Sequence, residues 1–413
     1  MFDSIGFNNF KCFATKGKVL PAVVDIRRLT LFYGYNNSGK SALLRGCCMV
    51  NRSLATCEEP LDRTLPVFSK LMSLEDVITQ GSRNRLSVSA SKDHASLAWE
   101  LRALPENSSY KVEYFEICDP EMRLSATWQP EPDLENGGDV YDVRIGNGPD
   151  DRRQLSFRGL IPSGLDESAP WFEPFRIKDA KHLWLHSNRK IGARYVDKLE
   201  IDSVDLDPDG SGCAELLYRA KYRLKGGSSF LYQVSKFFED TFNQRIVIEP
   251  IGRQFEIKFE NVNSLERVNV CDAGQGLQEL LPIIAYLNAE YLPGINVKSI
   301  SIEEPESHLH PKFHSALGIE LCRIASSKAG PSLLIETHSQ NLMLSIQIAI
   351  ASGRMDANAT IVYWVRSDST GRSIAEKVTF DERGIPSGNW PPDVFSTDTT
   401  LSRELFALRQ QQK

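Results

Sequence analysis

The chain has 413 residues, of which 41% are hydrophobic and 25% are charged, and its formal net charge is −6. These values are ordinary for a globular protein and argue against a fibrous or disordered chain. The acidic balance makes the whole molecule a poor electrostatic trap for nucleic acid, although it leaves nucleic-acid binding at a local patch open. The eight cysteines include no C-x-x-C pair, which argues against a zinc ribbon or a disulfide framework and favours a reducing compartment.

The sequence contains no segment typical of membrane or secretory targeting. The N-terminal MFDSIGFNNF has no basic region followed by an apolar core, so we expect no signal peptide. The longest apolar runs, near residues 280–287 and 342–351, are shorter than a bilayer span. We therefore expect a cytoplasmic protein without a membrane partner.

The first half of the chain predicts mainly strands. Apolar side chains recur at about every second position over residues 5–24, which indicates short strands. A buried strand from residue 29 and a helix from residue 41 follow, with a second helical patch at 67–78. From residue 85 to about 158, short β-prone runs separated by Pro, Gly, Asn and Asp predict an antiparallel β-rich lobe.

The second half predicts an alternating α/β region. A strand begins near His182, and helices cover 213–243 with a break at Gly226 and Gly227. Apolar strands and helices then alternate to about residue 365, as in a parallel sheet. We predict an α/β fold with a mixed or parallel sheet flanked by helices, plus the β-rich lobe. The expected segments are 1–84, 85–180, 181–270 and 271–413.

One motif predicts phosphate binding. The run GYNNSGKS fits the pattern G-x-x-x-x-G-K-[ST] between an apolar strand and a helix start. In that context, backbone N–H groups and the helix N-terminus surround a phosphate, the lysine reaches the outer phosphates, and the hydroxyl contacts Mg²⁺. The predicted nucleotide-binding residues are Gly34, Tyr35, Asn36, Asn37, Ser38, Gly39, Lys40 and Ser41.

Two adjacent carboxylates supply the chemistry that such a motif needs. SISIEEPE places Glu303 and Glu304 at the end of a buried strand, the edge at which open α/β sheets bind ligands. Adjacent strand residues point to opposite sides. We therefore expect Glu303 to face the Mg²⁺ held by Ser41 and Glu304 to act as the catalytic base that orients water. The alternative is a solvated strand end before a turn.

Two further features lie near this edge. His338 ends the next strand, where it can donate a hydrogen bond to a γ-phosphate oxygen, although a lone histidine is more often structural. The turn CDAGQGLQ, with Asp272, Gly274 and Gly276, opens a helix and forms a second anion site. One nucleotide does not need two anion sites in the same chain, so this turn is expected to complete the nucleotide site of a second copy of the protein. The alternative is that it is an ordinary helix-capping loop.

The order of these motifs resembles the ABC-class ATPases, and within them the OLD-like and SMC-like branch. The matching stretches are NFKCF, GYNNSGKS, DPDGSGCAELLY, DAGQGLQELLP, EEPESHLHP, ETHSQNL and DERGIPSGNWPPDVF. The resemblance implies ATP and Mg²⁺ as cofactors, a signature turn at 272–276, a Walker B strand ending at Glu303 and a switch histidine at His338. It also implies that Gln80 contacts the metal and that Arg189 lies near the nucleotide. The alternative for Arg189 is a surface salt bridge.

The sequence differs from several branches of that family, and these differences reduce the number of branches that it can resemble. The signature is not LSGGQ, no coiled coil separates the halves, and the sequence after His338 leaves no room for the acid-rich nuclease domain of OLD proteins. What remains resembles the free-standing ATPases of bacterial anti-phage systems of the PARIS type. That resemblance implies a homodimer or higher homo-oligomer, a separately encoded effector or toxin, and a phage-encoded trigger. The alternative is an SMC-like ATPase for DNA repair or DNA tethering.

Overall fold

The computed structural model of the protein contains three sheets and six α-helices among its described residues. Described are residues 2–14, 22–55, 78–79, 82, 84–104, 109–130, 139–169, 172, 175, 181–190, 192–198, 207–388 and 390. The helical patch expected up to residue 77 and the metal-contacting role of Gln80 lie outside the described residues.

The elements have the following bounds. The strands are β1 (Ser4–Asn8), β2 (Ala22–Asp25), β3 (Leu29–Gly34), β4 (Arg85–Lys92), β5 (Ala95–Leu104), β6 (Ser109–Cys118), β7 (Arg123–Gln129), β8 (Asp139–Ile145), β9 (Asp151–Arg158), β10 (Ile161–Ser163), β11 (Lys181–Leu185), β12 (Val196–Asp197), β13 (Gln244–Ile251), β14 (Gln254–Asn261), β15 (Arg267–Asn269), β16 (Val297–Glu303), β17 (Ser332–Thr337), β18 (Thr360–Ser367) and β19 (Ser373–Val378). The α-helices are α1 (Lys40–Ala55), α2 (Cys213–Tyr222), α3 (Gly227–Phe242), α4 (Gln275–Leu287), α5 (Pro311–Ser326) and α6 (Gln340–Ala351).

A six-stranded sheet carries the predicted nucleotide motifs. Its order is β11-β16-β17-β3-β18-β19, and all neighbours are parallel except the last pair. Parallel neighbours are joined through helices, so the strands end at one common edge. The phosphate-loop strand β3 lies directly beside β17, and β17 lies beside β16. The motifs that are far apart in sequence therefore meet at this edge.

The β-rich lobe is larger than the sequence predicted. Nine antiparallel strands follow the order β10-β9-β8-β7-β6-β5-β4-β1-β2. The expected antiparallel lobe is present, but β1 pairs with β4, for example Gly6 with Ser89. The boundary expected between residues 84 and 85 therefore cuts through one sheet. This pairing could not be predicted from the sequence, because strand pairing between distant segments leaves no local signal.

Helix α1 packs between the nine-stranded and the six-stranded sheet, in a hydrophobic core that contains residues of both. One buried cluster contains Leu43 and Leu44 of α1, Phe7 of β1 and Trp184 of β11. A second cluster covers the opposite face of the six-stranded sheet and includes residues of α4, α5 and α6. The mixed α/β architecture with helices flanking the sheet is confirmed. Burial of these apolar side chains fixes the position of α1, and with it the start of the helix at Lys40.

A small antiparallel sheet of β12, β13, β14 and β15 packs against α2 and α3. The predicted break between the two helices is confirmed, since α2 ends before Gly226 and α3 begins at Gly227. In the part of the chain that the structure describes, no helix is both long enough and apolar enough to span a bilayer.

Candidate nucleotide-binding site

The phosphate loop has the local structure that its sequence predicts. Strand β3 ends at Gly34 and α1 begins at Lys40, so residues 34–41 form a strand–loop–helix junction. Gly39 has φ +103°, and a Cβ built on it would lie 2.8 Å from Cys12 Sγ and from Ser373 Oγ. Both its backbone conformation and its surroundings therefore require glycine. The side chains of Tyr35, Asn36 and Asn37 are exposed, whereas Ser38 is buried.

A hydrogen bond from a distant strand holds this loop. Ser373 of β19 donates from Oγ to the Ser38 carbonyl at 2.6 Å. Asn37 has φ +61°, a left-handed conformation that asparagine tolerates. The backbone N–H groups at the start of α1 have no intrahelical partners because they belong to the first helical turn. The loop is thus ordered in a shape that leaves donors for an anion.

Lys40 brings a positive charge into this loop. Its side chain is only 4% exposed, and Nζ donates to the Tyr35 carbonyl at 2.8 Å. Burial lowers the pKa of the ammonium, and the nearby carboxylates of Glu336, Glu304 and Glu306 oppose that shift. Lys40 is therefore a desolvated cation among carboxylates, suited to a polyphosphate.

The hydroxyl of Ser41 contacts a carboxylate that the sequence reasoning did not select. Ser41 Oγ donates to Glu336 Oε1 at 2.7 Å. Burial raises the pKa of Glu336 to about 7, and the Ser41 hydrogen bond opposes this shift. Glu336 stands at the carboxyl end of β17 in register with Glu303 of β16. The sequence did contain a pattern that indicates Glu336 as a site residue, because SLLIET places an acid near the end of a buried strand as SISIEE does.

Glu303 has a different partner from the one expected. We expected it to face a metal held by Ser41, but both of its oxygens accept from Arg45 of α1, at 2.5 and 2.7 Å. The hydrogen bond to Glu303 raises the pKa of the Arg45 guanidinium. Such a bidentate pair is strong when it is buried, and Glu303 is 1% exposed. Arg45 could not be predicted from the phosphate motif, because it lies one helical turn beyond it. The role of Glu303 as a metal ligand stays a prediction.

Glu304 lies at the end of β16 in a strained conformation. Its φ is +42°, and its N–H donates to the Glu336 carbonyl at 2.9 Å. Its Oε2 accepts from Ser307 Oγ at 3.1 Å, and its Oε1 is 4.0 Å from His338 Nδ1. A non-glycine residue in the left-handed region is costly and is most common at functional sites. The structure thus brings Glu304 and His338 together at the sheet edge.

A fourth carboxylate supports His338. Glu306 is 4% exposed, and its Oε1 accepts from Thr337 Oγ1 at 2.6 Å and from the His338 N–H at 3.0 Å. This oxygen therefore fixes the backbone that carries the imidazole. The sequence pattern gave Glu306 no role beyond its place in the loop that follows β16.

Arg189 is neither in a surface salt bridge nor extended toward solvent. Its side chain is fully buried, and its guanidinium donates to the carbonyls of Glu303 at 2.7 Å and Glu304 at 2.9 Å. Glu279 of α4 lies 3.6 Å away. Burial lowers the pKa of Arg189, and Glu279 opposes that shift. Arg189 positions the end of β16 and ties it to α4.

The predicted signature turn lies at the exposed start of α4. Val270–Asp272 form a 3-10 turn, and Gly274 is the residue before the helix. Asp272 is exposed and pairs with Arg194. Gly276 packs tightly, since a Cβ there would lie 2.6 Å from the His308 carbonyl. Because Asp272, Gly274 and Gln275 are exposed, the N-terminus of α4 is accessible to an anion from solvent.

The histidines that follow Glu306 have separate partners. His308 lies 3.6 Å from Glu279, His310 caps α5, and His314 contacts Ser339. Among the described residues, no three His, Cys, Asp or Glu side chains converge as a metal site. A magnesium ion in a nucleotide site does not need such a cluster, because it commonly takes one or two protein carboxylates and completes its coordination with phosphate oxygens and water. Two buried oxygens suit such an arrangement, because Glu306 Oε2 and Glu336 Oε2 have no hydrogen-bond partner among the described residues.

Comparisons with known proteins agree with a nucleotide site. Residues 144–345 match the family described as "AAA domain, putative AbiEii toxin, Type IV TA system". This segment is similar to an AAA-type ATPase domain. It includes the signature turn, β16 and β17, and it begins after the phosphate loop. A search of the curated proteins finds no match.

Solved structures with a similar fold have low identity to this chain. An SMC head bound to the C-terminal winged-helix domain of ScpA is 12% identical, covers 92% of this chain and 98% of its own, and has a TM-score of 0.45. An SMC head with an extended coiled coil, bound to the C-terminal domain of ScpA derived from Pyrococcus furiosus, is 12% identical, covers 100% and 99%, and has a TM-score of 0.43. The recombination mediator RecF of the RecFOR pathway is 12% identical, covers 83% and 93%, and has a TM-score of 0.33. At TM-scores this low, these likenesses carry no weight for function.

Proposed function

We propose that the protein is an ATP-binding and ATP-hydrolysing ABC-type ATPase of the OLD-like and SMC-like branch that acts as a nucleotide-driven dimeric switch. The observation that carries this proposal is the junction of β3 and α1. There, an ordered glycine loop, a buried lysine and a serine lie beside three glutamates at the carboxyl edge of a parallel sheet. A phosphate cradle, a metal-binding hydroxyl and a base are the parts that phosphoryl transfer to water requires.

Each residue has a defined task in this proposal. The loop N–H groups and Lys40 bind the β- and γ-phosphates, and Ser41 with a neighbouring glutamate holds Mg²⁺. Magnesium, when bound, supplies charge neutralisation at the phosphates. Glu304 orients the attacking water and accepts its proton. His338, 4.0 Å from Glu304, donates a hydrogen bond to the γ-phosphate.

The dimeric part of the proposal rests on the start of α4. Gly274 and Gln275 are exposed, and none of the hydrogen bonds or ion pairs of the described residues joins this turn to the phosphate loop. An exposed helix N-terminus that its own chain leaves without an anion can bind the γ-phosphate held by a second copy. Two copies related by a two-fold axis would then form two shared sites. ATP that binds the closed pair more tightly than the open one drives closure.

Mixing two inactive variants tests the shared site. Lys40→Ala disables the phosphate loop, and Gly274→Glu places a negative charge at the signature turn, where a side chain has open space. Each variant alone should be inactive. Random exchange makes half of the dimers mixed, each with one intact site of two, so the mixture should recover about a quarter of the wild-type ATPase rate.

Asn147→Glu, at the exposed turn after β8, is the matched control for added charge and should keep wild-type activity. Active Gly274→Glu protein would exclude the turn from the site. If both variants are inactive and their mixture also stays inactive under conditions that exchange wild-type protomers, the shared site is wrong.

The proposal extends to bacterial anti-phage defence. In this scheme the dimer senses a phage-encoded trigger and holds or releases a separately encoded effector or toxin. Support comes from the resemblance of the motif set to PARIS-type ATPases. A toxin of a type IV toxin–antitoxin system also appears in the description of the matched family, although that description concerns the family and not this chain.

The DNA-repair or DNA-tethering alternative needs a basic surface. On the nine-stranded sheet, several arginines pair with carboxylates, namely Arg85 and Arg102 with Glu113, Arg123 with Glu116, and Arg144 with Asp150. Paired charges release few counterions on binding DNA. We therefore expect no salt-dependent DNA binding, with or without ATP. Tight binding that weakens steeply between low and moderate salt would favour the alternative.

A further inference from the structure

Glu336 and Glu303 form a matched pair of carboxylates at the edge of the sheet. They are direct partners in the parallel register of β17 and β16, so their backbones lie about 4.8 Å apart. Both side chains point to the face covered by α1, because Ser41 and Arg45 of that helix are their partners. Both residues are almost fully buried, Glu303 at 1% and Glu336 at 2% exposure. Two buried acids side by side require cations nearby.

The two acids differ in what their oxygens contact. Glu303 Oε1 and Oε2 both accept from the Arg45 guanidinium, so its negative charge already has a cation. Glu336 Oε1 accepts only from the neutral hydroxyl of Ser41. Glu336 Oε2 is buried and has no hydrogen-bond partner among the described residues. Glu336 is therefore the acid of this pair that has room for a cation.

The position of Glu336 is also the better one for a metal at the phosphate loop. Its contact residue, Ser41, is the hydroxyl that the loop motif assigns to Mg²⁺. Of the carboxylates around Lys40, Glu336 exerts the largest electrostatic effect on that ammonium. Magnesium binds oxygen ligands and commonly takes one protein carboxylate together with phosphate oxygens and water. Glu336, whose Oε2 has no hydrogen-bond partner among the described residues, can supply that carboxylate beside Ser41.

We propose that Glu336, and not Glu303, is the protein carboxylate that binds the magnesium ion of the nucleotide beside Ser41, while Arg45 holds Glu303 as a fixed neighbour. This inference rests on the proposed function, since it requires a nucleotide at the phosphate loop. It assigns to the strand that precedes His338 a metal-binding task. Metal and γ-phosphate contacts would then come from two residues of one segment, Glu336 and His338, which are separated only by Thr337.

Metal binding in two isosteric variants tests the inference. Glu336→Gln and Glu303→Gln each remove one charge from the same pair and keep the side-chain shape. Mn²⁺ replaces Mg²⁺ as a paramagnetic probe, and its affinity for the full-length protein is measured by electron paramagnetic resonance with a non-hydrolysable ATP analogue. Glu336→Gln should weaken Mn²⁺ binding at least about tenfold, whereas Glu303→Gln should change it less than about twofold. Glu336→Asp, which keeps the charge, should bind Mn²⁺ more tightly than Glu336→Gln.

Binding of a fluorescent, non-hydrolysable ATP analogue in EDTA separates this inference from the proposed function. Wild type and Glu336→Gln should bind the metal-free analogue with similar affinity, which also shows that the variant is folded. Wild type that binds no nucleotide would contradict the proposed function itself. If wild type binds nucleotide and Mn²⁺ but only Glu303→Gln loses the metal, Glu303 is the ligand and the inference about Glu336 is wrong.

Discussion

Lys40→Ala should reduce ATP hydrolysis by at least about a hundredfold and should abolish measurable ATP binding. The side chain is buried, and its ammonium lies in the phosphate loop, where it donates to the Tyr35 carbonyl. Its removal leaves a polyphosphate facing Glu336, Glu304 and Glu306, the carboxylates that act on Lys40, without the charge that offsets them. Steady-state phosphate release and titration with a fluorescent ATP analogue measure the two effects.

The matched control is Lys298→Ala. Lys298 is an exposed residue of β16, and its loss changes the net charge by the same amount without touching the loop. Among the described residues, the Lys40 side chain makes one hydrogen bond, to the Tyr35 carbonyl, so we expect the Lys40→Ala protein to stay folded by circular dichroism. Wild-type hydrolysis by folded Lys40→Ala protein would remove this residue from the mechanism.

Glu304→Gln should slow hydrolysis by at least about a hundredfold while ATP binding is retained. The amide keeps the shape of the side chain and can still contact Ser307, but it accepts no proton from water. ATP should therefore persist in the site, and the protein should accumulate as the closed dimer. Light scattering after size-exclusion chromatography in ATP and Mg²⁺ measures this as a doubled mass relative to the nucleotide-free protein.

Glu382→Gln serves as the control, because Glu382 is exposed and lies in a turn after β19. It should hydrolyse ATP and show no ATP-stabilised dimer beyond the wild type. If Glu304→Gln binds ATP and its mass and elution position stay unchanged, ATP-driven closure is wrong. If it hydrolyses ATP at the wild-type rate, the base lies elsewhere, and Glu306, which accepts from the His338 N–H, is the next candidate to test.

The fold class and the phosphate loop were predictable because their signals are local. Alternating apolar residues mark the strands, and residues 34–41 follow a pattern whose physical context is a strand and a helix. The parallel arrangement of the strands, though not their order, followed from the alternation of elements in the last third of the chain. Placing Glu304 and His338 at one edge then required only the rule that parallel strands end together.

The partners of the buried charges were not predictable. Whether Ser41 meets Glu303 or Glu336 depends on the register of β16 and β17 and on the rotation of α1, which packing sets through residues such as Phe7 and Trp184. Arg45, Arg189 and Glu306 carry no motif of their own, and their roles follow only from three-dimensional proximity. The pairing of β1 with β4 was missed for the same reason.

The contacts that shape the loop join opposite ends of the chain. Ser41 and Glu336 are 295 positions apart, and Ser38 is held by Ser373 at a separation of 335. Contacts of such high sequence separation form late in folding, and chains emerge from the ribosome N-terminus first. The phosphate loop is synthesised early but reaches its final shape only when β19 is in place. Competence to bind nucleotide thus requires the chain up to β19, and we expect a chain truncated before Ser373 to lack it.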